Sequence, residues 1–546
     1  MRPTAANRFL DRLCSTAGRV VLTLSLAAAV VHGCGKPVEK RDIATLRYRL
    51  SSDPSTLDPA HSTSTDSGVV VLKVFEGLVR FVPETLEIVP AVAQSYDVSP
   101  DGLTYTFRLR EGVRFHNGGE VTAEDFRYSF ERVLDRRTRS ERRWVLEEIE
   151  GAEEFSSGET EAVSGIDVLG RHVLQLRLRR PFAPFLAQLC MEGASAVPRE
   201  EVEKWGEDFT SHPVGCGPFK FVSWKHDVEV VIEAFDDYFG GPPKLRRVAF
   251  KVLPETSVAL EEYLAGELDF MDQLPPGRVV DLRQNYPDEV KIWPILATYY
   301  FGFNHEKEPF KGNRKLRQAF NYAVDREGIC DVIQEGVPVP ATGGVLPPGM
   351  PGYDPDLKGY EYDPDMARRL MAEAGYPNGE GLPVITLWYN TDPGHQRICE
   401  YVQHCLKKVG VRVKLKNIDT AAYWQAMYAG EPAFFRTGWI ADIPDPDNFL
   451  YTLLDSKQFG AAGNSTWYSN PDFDKLVEEA RSSTDWTERQ RLYREAERIA
   501  VDDAAWLFVY YYRDVAMVKR HVKGIRFSRQ GDFAIPLDDV YIDAGG

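Results

Sequence analysis

The residues with the clearest chemical potential lie in one acidic loop. The segment Asp442-Ile-Pro-Asp-Pro-Asp447 places three carboxylates within six residues. Two neighbouring carboxylates can act as a general acid and a general base, and a single one can bind a cationic group. The segment is stiffened by two prolines and follows a strand predicted over 434–439, and loops at strand ends commonly bind ligands in α/β proteins. The pattern leaves a ligand site and a simple turn both open.

Other motifs of catalysis or metal binding are absent from the sequence. It contains no His-Glu-x-x-His zinc motif, no Gly-x-Ser-x-Gly elbow, no phosphate-binding loop and no helix-loop-helix calcium loop. His395 and His404 lie nine residues apart on one predicted helix. They are therefore about half a turn out of phase, and we expect surface histidines rather than two ligands of one metal. The sequence predicts a protein that is not an enzyme and uses no metal or cofactor.

The N-terminus predicts export from the cytoplasm. Several arginines precede an apolar run over 20–31, which is too short for a permanent membrane span and typical of a signal peptide. The sequence Val31-His32-Gly33-Cys34 resembles the bacterial lipoprotein box, although His32 replaces the usual small residue. We therefore expect a signal peptide over 1–33, lipidation of Cys34 and a flexible tether over 34–40. The alternative is cleavage nearby, with Cys34 an ordinary thiol.

Composition and charge narrow the class of protein. The 546 residues include 43% hydrophobic and 27% charged residues, which predicts a folded, water-soluble protein of two or three domains. A net charge of −17 argues against a nucleic-acid partner, because that partner would be repelled. Beyond the leader and Cys34, five cysteines remain, and we expect them to be buried thiols without disulfides.

Periodicity in the first half predicts strands and one helix. A strand over 46–50 is expected at a sheet edge, and the alternation over 103–115 predicts a hairpin that turns at Glu111-Gly112. Thr122 begins a predicted capping box, followed by an apolar helical stripe through Phe126 and Phe130.

The second half contains the clearest helix boundaries. Asn313 is a predicted helix cap, and another helix is predicted from Asp363 to Gly375. A strand over 384–388, a helix over 394–409 and a strand over 411–418 form a predicted βαβ unit with parallel strands. The fold class is therefore α/β with more than one lobe.

Eight segments together resemble the peptide, dipeptide and nickel family of solute-binding proteins that serve ATP-driven (ABC) importers. The segment GWIADIPDPDNFL contains the acidic loop, and the eight occur in family order over nearly the whole mature chain. They are 52–59, 74–81, 90–134, 214–224, 303–327, 362–379, 438–450 and 467–481.

The resemblance implies two hinged lobes of mixed sheet with flanking helices, as in class II periplasmic binding proteins, plus an inserted extra domain. Domain I is expected to comprise 41–82, 212–293 and 517–546, domain II 83–211 and domain III 294–516. Two chain crossings, near Pro294 and Arg513, would form the hinge. Closure of the lobes would bury the solute and create the shape that the importer recognises.

The resemblance also implies the binding residues. In peptide binders of the family, the aspartate after Gly-Trp-x-x anchors the ligand's α-ammonium, and this position is Asp442, with Trp439 lining the cleft. We expect Asp442 to have no required protein partner without ligand. Ser62, Thr63 and Ser64 match a cleft-facing stretch of domain I, although a solvated loop there is an equal alternative.

Two departures from the family pattern affect the expected ligand. Tyr389 stands where dipeptide-specific members place an arginine that binds the ligand carboxylate. Longer peptides are therefore favoured, because their C-terminal carboxylate could pair with another cation such as Arg397 or lie in solvent. Cys216 replaces a hydroxyl residue, which argues against a polar role there.

The expected protein is a monomeric lipoprotein of the periplasm or cell surface. It would capture peptides between its lobes and deliver them to an ABC importer in the inner membrane. Two alternatives remain: a nickel chelate, haem or other small solute bound by the same fold, and an extracytoplasmic hydrolase that uses the acidic loop.

Overall fold

The computed structural model of the chain describes residues 45–543. The predicted signal peptide, Cys34 and the tether over 34–40 lie outside these residues.

Nineteen strands are formed by the described residues. They are β1 (Thr45–Leu50), β2 (Val79–Phe81), β3 (Ile88–Pro90), β4 (Ala93–Val98), β5 (Thr104–Leu109), β6 (Ile166–Gly170), β7 (Val173–Arg177), β8 (Phe219–Lys225), β9 (Glu229–Ala234), β10 (Arg247–Val252), β11 (Phe270–Asp272), β12 (Val290–Phe303), β13 (Val339–Pro340), β14 (Ile385–Asn390), β15 (Val413–Ile418), β16 (Phe434–Ile440), β17 (Trp506–Val518), β18 (Val522–Lys523) and β19 (Tyr541–Ile542).

Fifteen α-helices lie in the same part of the chain. They are α1 (Thr65–Val74), α2 (Ala123–Leu134), α3 (Ala152–Ser157), α4 (Phe185–Gln188), α5 (Arg199–Trp205), α6 (Thr256–Ala265), α7 (Val279–Asn285), α8 (Arg314–Ala323), α9 (Arg326–Gly328), α10 (Pro364–Glu373), α11 (Pro393–Lys408), α12 (Thr420–Tyr428), α13 (Asp447–Leu454), α14 (Pro471–Ser482) and α15 (Trp486–Asp502). Among residues 45–543, none of the helices has the length and apolar character that a membrane span requires.

Two sheets organise the molecule. The large sheet has the order β15-β14-β16-β12-β17-β11-β1-β10-β9-β8, with β13 paired to β17, and it mixes parallel and antiparallel neighbours. The small sheet is antiparallel, with the order β4-β5-β7-β6. These sheets and their flanking helices confirm the predicted mixed α/β class.

The strands β12 and β17 run side by side through the middle of the large sheet. They join the strands predicted for domain III to those predicted for domain I. Pro294 lies opposite Arg513, and the register shifts before the pairing resumes at Thr298. Proline has no N–H to donate to the ladder, so the pairing is weakened where the hinge is predicted. The domain boundaries themselves stay a prediction.

Two predictions about strands are wrong. β1 is not an edge strand, because it lies between β10 and β11 and is parallel to both. Its alternating arginines resemble an exposed face, but the Arg49 side chain is buried and its Nη1 donates to Asp272 Oδ1 at 2.7 Å. The predicted hairpin over 103–115 is absent as well. β5 pairs with β4 and β7 instead. In the expected second strand, residues 113–115, Arg114 forms a bridge with Glu120 and not with β5.

The predicted helix boundaries and the βαβ unit are confirmed. Asn313 Oδ1 accepts a hydrogen bond from the Leu316 N–H at 3.1 Å, and Asp363 caps α10. Asp125 Oδ2 accepts from the Thr122 N–H at 2.8 Å at the start of α2. β14, α11 and β15 follow in order, with the two strands parallel. The five cysteines among residues 45–543 are free, and four of them are buried.

The small sheet packs against α2 in one apolar core. Phe126 and Phe130 of α2 are fully buried there, together with Phe107 of β5. Ile443, in the acidic loop after β16, is buried in the same core. This contact brings the acidic loop against the small-sheet region. We use this name for residues 83–211, which contain β4 to β7 and α2 to α5.

Candidate functional site

The acidic loop begins where β16 leaves the large sheet. β16 pairs with β12, which places Gly438 opposite Tyr299 and Trp439 opposite Thr298. A Cβ at Gly438 would lie 3.0 Å from the Thr298 carbonyl oxygen, so glycine allows the two backbones their close approach. Trp439 therefore lies near the C-terminal end of β16, and Asp442 follows just beyond that end.

Asn448 connects these two predicted site residues. Its Oδ1 accepts hydrogen bonds from Trp439 Nε1 and from the Asp442 N–H, both at 2.9 Å. Its Nδ2 donates to Asp442 Oδ2 at 3.3 Å. One amide side chain at the start of α13 thereby fixes the Asp442 carboxylate beside the Trp439 ring.

The Asp442 carboxylate also lies close to a cation. Arg142 Nη1 is 3.6 Å from Asp442 Oδ1, and the Asp442 side chain is 29% exposed. Burial raises the pKa of Asp442, while Arg142 and Asn448 oppose the rise. Asp442 therefore has protein partners in the absence of ligand, and that folding requires none of them stays a prediction. Its cationic partner comes from the small-sheet region, which sequence spacing cannot reveal.

Arg142 links the acidic loop to the predicted serine stretch. Its Nε donates to the Ser62 carbonyl oxygen at 2.6 Å, and its Nη2 lies 3.4 Å from Glu192 Oε1. Ser62 is fully buried, and its Oγ donates to the same Glu192 oxygen at 3.4 Å. The structure thus brings Ser62 and Asp442 together through one guanidinium.

The other two residues of that stretch are placed differently. Ser64 caps α1, where its Oγ accepts from the Ser67 N–H at 3.2 Å. Thr63 is exposed. Among the described residues, neither side chain lies in the wall of a pocket that Asp442 lines.

The remaining aspartates of the acidic loop have structural partners. Arg489 Nη2 donates to both carboxylate oxygens of Asp445, at 2.8 and 2.9 Å. Arg481 Nε lies 3.1 Å from Asp447 Oδ1, and all four side chains are largely buried. Because these two carboxylates are neutralised, the loop does not present the pair of available carboxylates that the hydrolase alternative requires.

Asp442 lines two pockets. The larger one, of about 530 Å³, lies between the small-sheet region and the segment after β16, with Trp144 and Phe182 on one side and Trp439 and Tyr451 on the other. The smaller one, of about 130 Å³, adjoins α1. The larger volume falls within the range of small-ligand pockets, about 300–1,000 Å³.

A buried cation that the sequence interpretation missed lies on β16. Arg436 is 8% exposed, its Nη1 donates to Asn390 Oδ1 at 3.1 Å, and its guanidinium carbon lies 5.0 Å from the centre of the Tyr299 ring. Within residues 45–543 no carboxylate approaches it within 4.0 Å. The one available signal was a charged residue inside the otherwise uncharged strand FFRTGWI.

His395 is a second basic group near Arg436. Its Nδ1 lies 3.5 Å from the Tyr299 hydroxyl, and burial, assisted by the positive charge of Arg436, lowers the pKa of His395 to about 4. The imidazole is therefore neutral at neutral pH. Arg436 is consequently the positive charge of this cluster.

Three further residues were singled out by the sequence. Arg397 lies on α11, with its Nε buried and without a partner among the described residues. Tyr389 is buried in β14. Cys216 is buried, with its Sγ 3.9 Å from the Glu76 carbonyl oxygen. In residues 45–543 no group of three or more His, Cys, Asp and Glu side chains is placed to hold a metal ion.

The mixed α/β fold of this chain is that of the periplasmic binding proteins to which its structure is similar. The model of the bacterial extracellular solute-binding proteins, family 5, middle region, matches residues 87–461, and the chain belongs to this family. It includes the peptide, dipeptide and nickel binders that the sequence segments resemble.

Individual relatives extend the similarity to nearly the whole chain. The chain is 30% identical to the oligopeptide-binding protein OppA of Bacillus subtilis, over 94% of this chain and 96% of that protein. It is 33% identical to the heme-binding protein A of Haemophilus influenzae, over 93% and 96%. The solved structure of DppA from Helicobacter pylori in complex with the peptide STSA is 30% identical, with a TM-score of 0.77, and covers 91% of this chain and 98% of that chain.

Proposed function

We propose that this protein captures short peptides between its lobes outside the cytoplasm and delivers them to an ABC importer. The observation that carries the proposal is Asp442, a partly buried carboxylate in the wall of the larger pocket beside Trp439. A carboxylate in such a site binds an ammonium strongly, because an ammonium that has lost its water requires a nearby anion. We assign the ligand's α-ammonium to Asp442.

Arg436 supports a peptide with a free C-terminus. A buried guanidinium without a carboxylate partner favours an anionic ligand group. Tyr389 in place of the arginine of dipeptide binders favours oligopeptides over dipeptides.

Anchoring and delivery complete the proposal. Cys34 would carry the lipid that tethers the monomeric protein to a membrane, facing the periplasm or the cell surface. The importer would recognise the closed shape, in which β12 and β17 hold the lobes together. OppA and DppA among the relatives are peptide-binding proteins by name, and this supports a peptide as the solute.

A second candidate is haem, a nickel chelate or another small solute in the same cleft. The similarity to the heme-binding protein A, at 33% identity, favours haem within this group. In this alternative Asp442 would serve a structural role in the loop. Peptides would then bind weakly or not at all.

Native mass spectrometry of protein purified without denaturation tests the proposed function. The expected result is protein carrying bound peptides, which fragmentation identifies as oligopeptides. Detection of haem or a metal chelate, or the failure of peptide mixtures to bind in calorimetric titrations, would contradict the proposal.

A further inference from the structure

The larger pocket contains more than the acidic anchor. Besides Trp439 and Asp442, its wall includes Glu148, between α2 and α3, and Arg180, after β7. The same wall includes Gln188, at the end of α4. The acidic anchor, a second carboxylate, a guanidinium and an amide thus line one pocket.

Most anions of this pocket lie beside one guanidinium. Each of three carboxylates in the wall lies within 4.0 Å of one arginine: Asp447 with Arg481 at 3.1 Å, Glu147 with Arg143 at 2.8 Å, and Asp442 with Arg142 at 3.6 Å. Arg142 is shared with Glu192, at 3.4 Å, so these pairs carry no excess positive charge.

Glu148 is the exception, because two arginines share it. Arg179 Nε and Arg180 Nε each donate to Glu148 Oε2 at 2.9 Å. Burial alone would raise the pKa of Glu148, but Arg180 and Arg179 lower it to about 2, so the carboxylate stays ionised. One negative charge thus faces two positive charges at the pocket wall.

Arg180 has fewer carboxylate partners than Arg179. Arg179 also lies 3.6 Å from Glu153, which is outside this pocket and 84% exposed. For Arg180, Glu148 is the sole carboxylate within 4.0 Å among the described residues, and the Arg180 side chain is 49% exposed. Its guanidinium can therefore accept a second anion from a ligand without losing the first.

Gln188 indicates that the pocket is also built to accept a polar ligand. The side chain is only 6% exposed, and its Oε1 has no hydrogen-bond partner within the described chain. A buried amide oxygen without a partner is costly, so a ligand N–H at this position would be favourable. A peptide supplies such an N–H one residue beyond its ammonium.

We propose that this pocket holds the first residue of the bound peptide and that Arg180 selects a carboxylate on that residue. The ligand class is peptides that begin with an acidic residue, with the ammonium at Asp442, the acidic side chain at Arg180 and a backbone N–H at Gln188. The aromatic rings of Trp439 and Phe182 flank the methylene groups. This inference rests on the proposed peptide-binding function and adds a preference at one position.

Calorimetric titration with the peptides Glu-Ala-Ala and Gln-Ala-Ala tests the inference. These ligands have nearly the same shape and differ in one charge. The wild-type protein is expected to bind Glu-Ala-Ala about tenfold more tightly, the scale of one charge-assisted hydrogen bond. Arg180→Gln should remove this preference, and Arg180→Lys should retain part of it. Since Arg180 is half exposed and Arg179 still neutralises Glu148, both variants are expected to fold.

Arg171→Gln is the matched control. Arg171 is an exposed arginine of the small-sheet region that pairs with Glu120, away from the pocket, so its loss should leave the preference unchanged. Equal binding of the two peptides to the wild type would overturn the inference while leaving peptide binding intact. If neither peptide binds, the proposed function fails as well, and the two failures are thereby distinguished.

Discussion

Arg142 Nη1 lies 3.6 Å from Asp442 Oδ1, across the boundary between the small-sheet region and the loop after β16. The same guanidinium bonds the Ser62 carbonyl oxygen and approaches Glu192. One side chain thus contacts segments predicted for three different domains. A ligand ammonium at Asp442 must share the carboxylate with Arg142 or displace it, so ligand binding and contact between the lobes are coupled.

Asp442→Asn tests the ammonium anchor. The change preserves the shape of the side chain but removes the charge, so affinity for a peptide with a free N-terminus should fall by about 2–5 kcal/mol. An N-acetylated peptide, which lacks the ammonium, should bind the wild type weakly. Its affinity for the variant should be nearly the same. Calorimetric titration of both peptides against both proteins measures the difference. Equal binding of free and acetylated peptides by the wild type would remove Asp442 from this role.

Asp445→Asn is the matched control for that experiment. Asp445 belongs to the same loop but is buried in a bidentate pair with Arg489. Its loss should lower the free energy of unfolding by about 3–5 kcal/mol, because it leaves a buried arginine unpaired. It should leave the wild-type difference in affinity between free and acetylated peptides unchanged. Asp442→Asn should change stability much less, since Arg142 keeps Glu192 and Ser62 as partners.

Arg436→Gln tests the assignment of the ligand's C-terminus. If Arg436 binds a terminal carboxylate, the variant should lose about 2–5 kcal/mol of affinity for a free peptide and little for the same peptide with an amidated C-terminus. The measurement is a titration of the free and amidated peptides against both proteins. A similar loss for both peptides would indicate that Arg436 supports the fold of β16 instead.

Closure of the lobes should be visible in solution. The register shift after Pro294 and Arg513 weakens the pairing of β12 and β17 where the two lobes are predicted to meet. Adding a bound peptide should reduce the radius of gyration measured by small-angle X-ray scattering. The Asp442→Asn variant should show no change in the radius of gyration when the peptide concentration lies below the variant's dissociation constant for that peptide. An unchanged radius for the wild type at saturation would contradict a hinge at this place.

Cys34→Ser tests the predicted membrane anchor. The apolar run over 20–31 ends in Val31-His32-Gly33-Cys34, so the thiol of Cys34 is the expected site of lipid attachment. Metabolic labelling with a fatty acid should mark the wild type and not the variant. Labelling of the variant at wild-type level, or a wild-type protein found wholly in the soluble fraction, would exclude Cys34 as the anchor.

Features set by neighbouring residues were predictable from the sequence. The cap at Asn313, the end of α10 near Gly375 and the βαβ unit around α11 depend on local spacing, and the structure confirms them. The position of the acidic loop at the end of β16 follows from the same kind of pattern. The family resemblance, which draws on eight separate segments, led correctly to the α/β architecture and the solute-binding family.

Features set by contacts between distant segments were not predictable. The alternation in β1 resembles an edge strand, because the sequence does not show that Asp272 neutralises Arg49. In the same way, no spacing rule connects Arg142 to Asp442 or reveals that Arg436 has no carboxylate within 4.0 Å among residues 45–543. The binding roles of Asp442, Trp439 and the serine stretch stay predictions.

Glu497 provides a test of a buried ionisable group away from the candidate site. It lies on α15 and is 1% exposed; its Oε1 accepts from the Leu346 N–H at 2.8 Å, and its Oε2 is buried without a partner among the described residues. Burial raises the pKa of Glu497 to about 7, although backbone hydrogen bonds act against the rise. In the unfolded chain the same group titrates near the ordinary value of about 4.3.

The raised pKa gives the wild type a stability that depends on pH. Between about pH 4.5 and pH 7 the folded protein holds a proton that the unfolded chain has released, so the contribution is complete below this window and is lost as pH rises through it. The glutamine of Glu497→Gln does not titrate. As pH rises from 4.5 to 8, the wild type should therefore lose up to about 3 kcal/mol of unfolding free energy that the variant keeps. Urea unfolding of both proteins at the two pH values measures this change. Glu495→Gln, an exposed change on the same helix, should show almost none. If the difference in unfolding free energy between Glu497→Gln and the wild type is the same at both pH values, Glu497 is ionised at both, and burial does not raise its pKa.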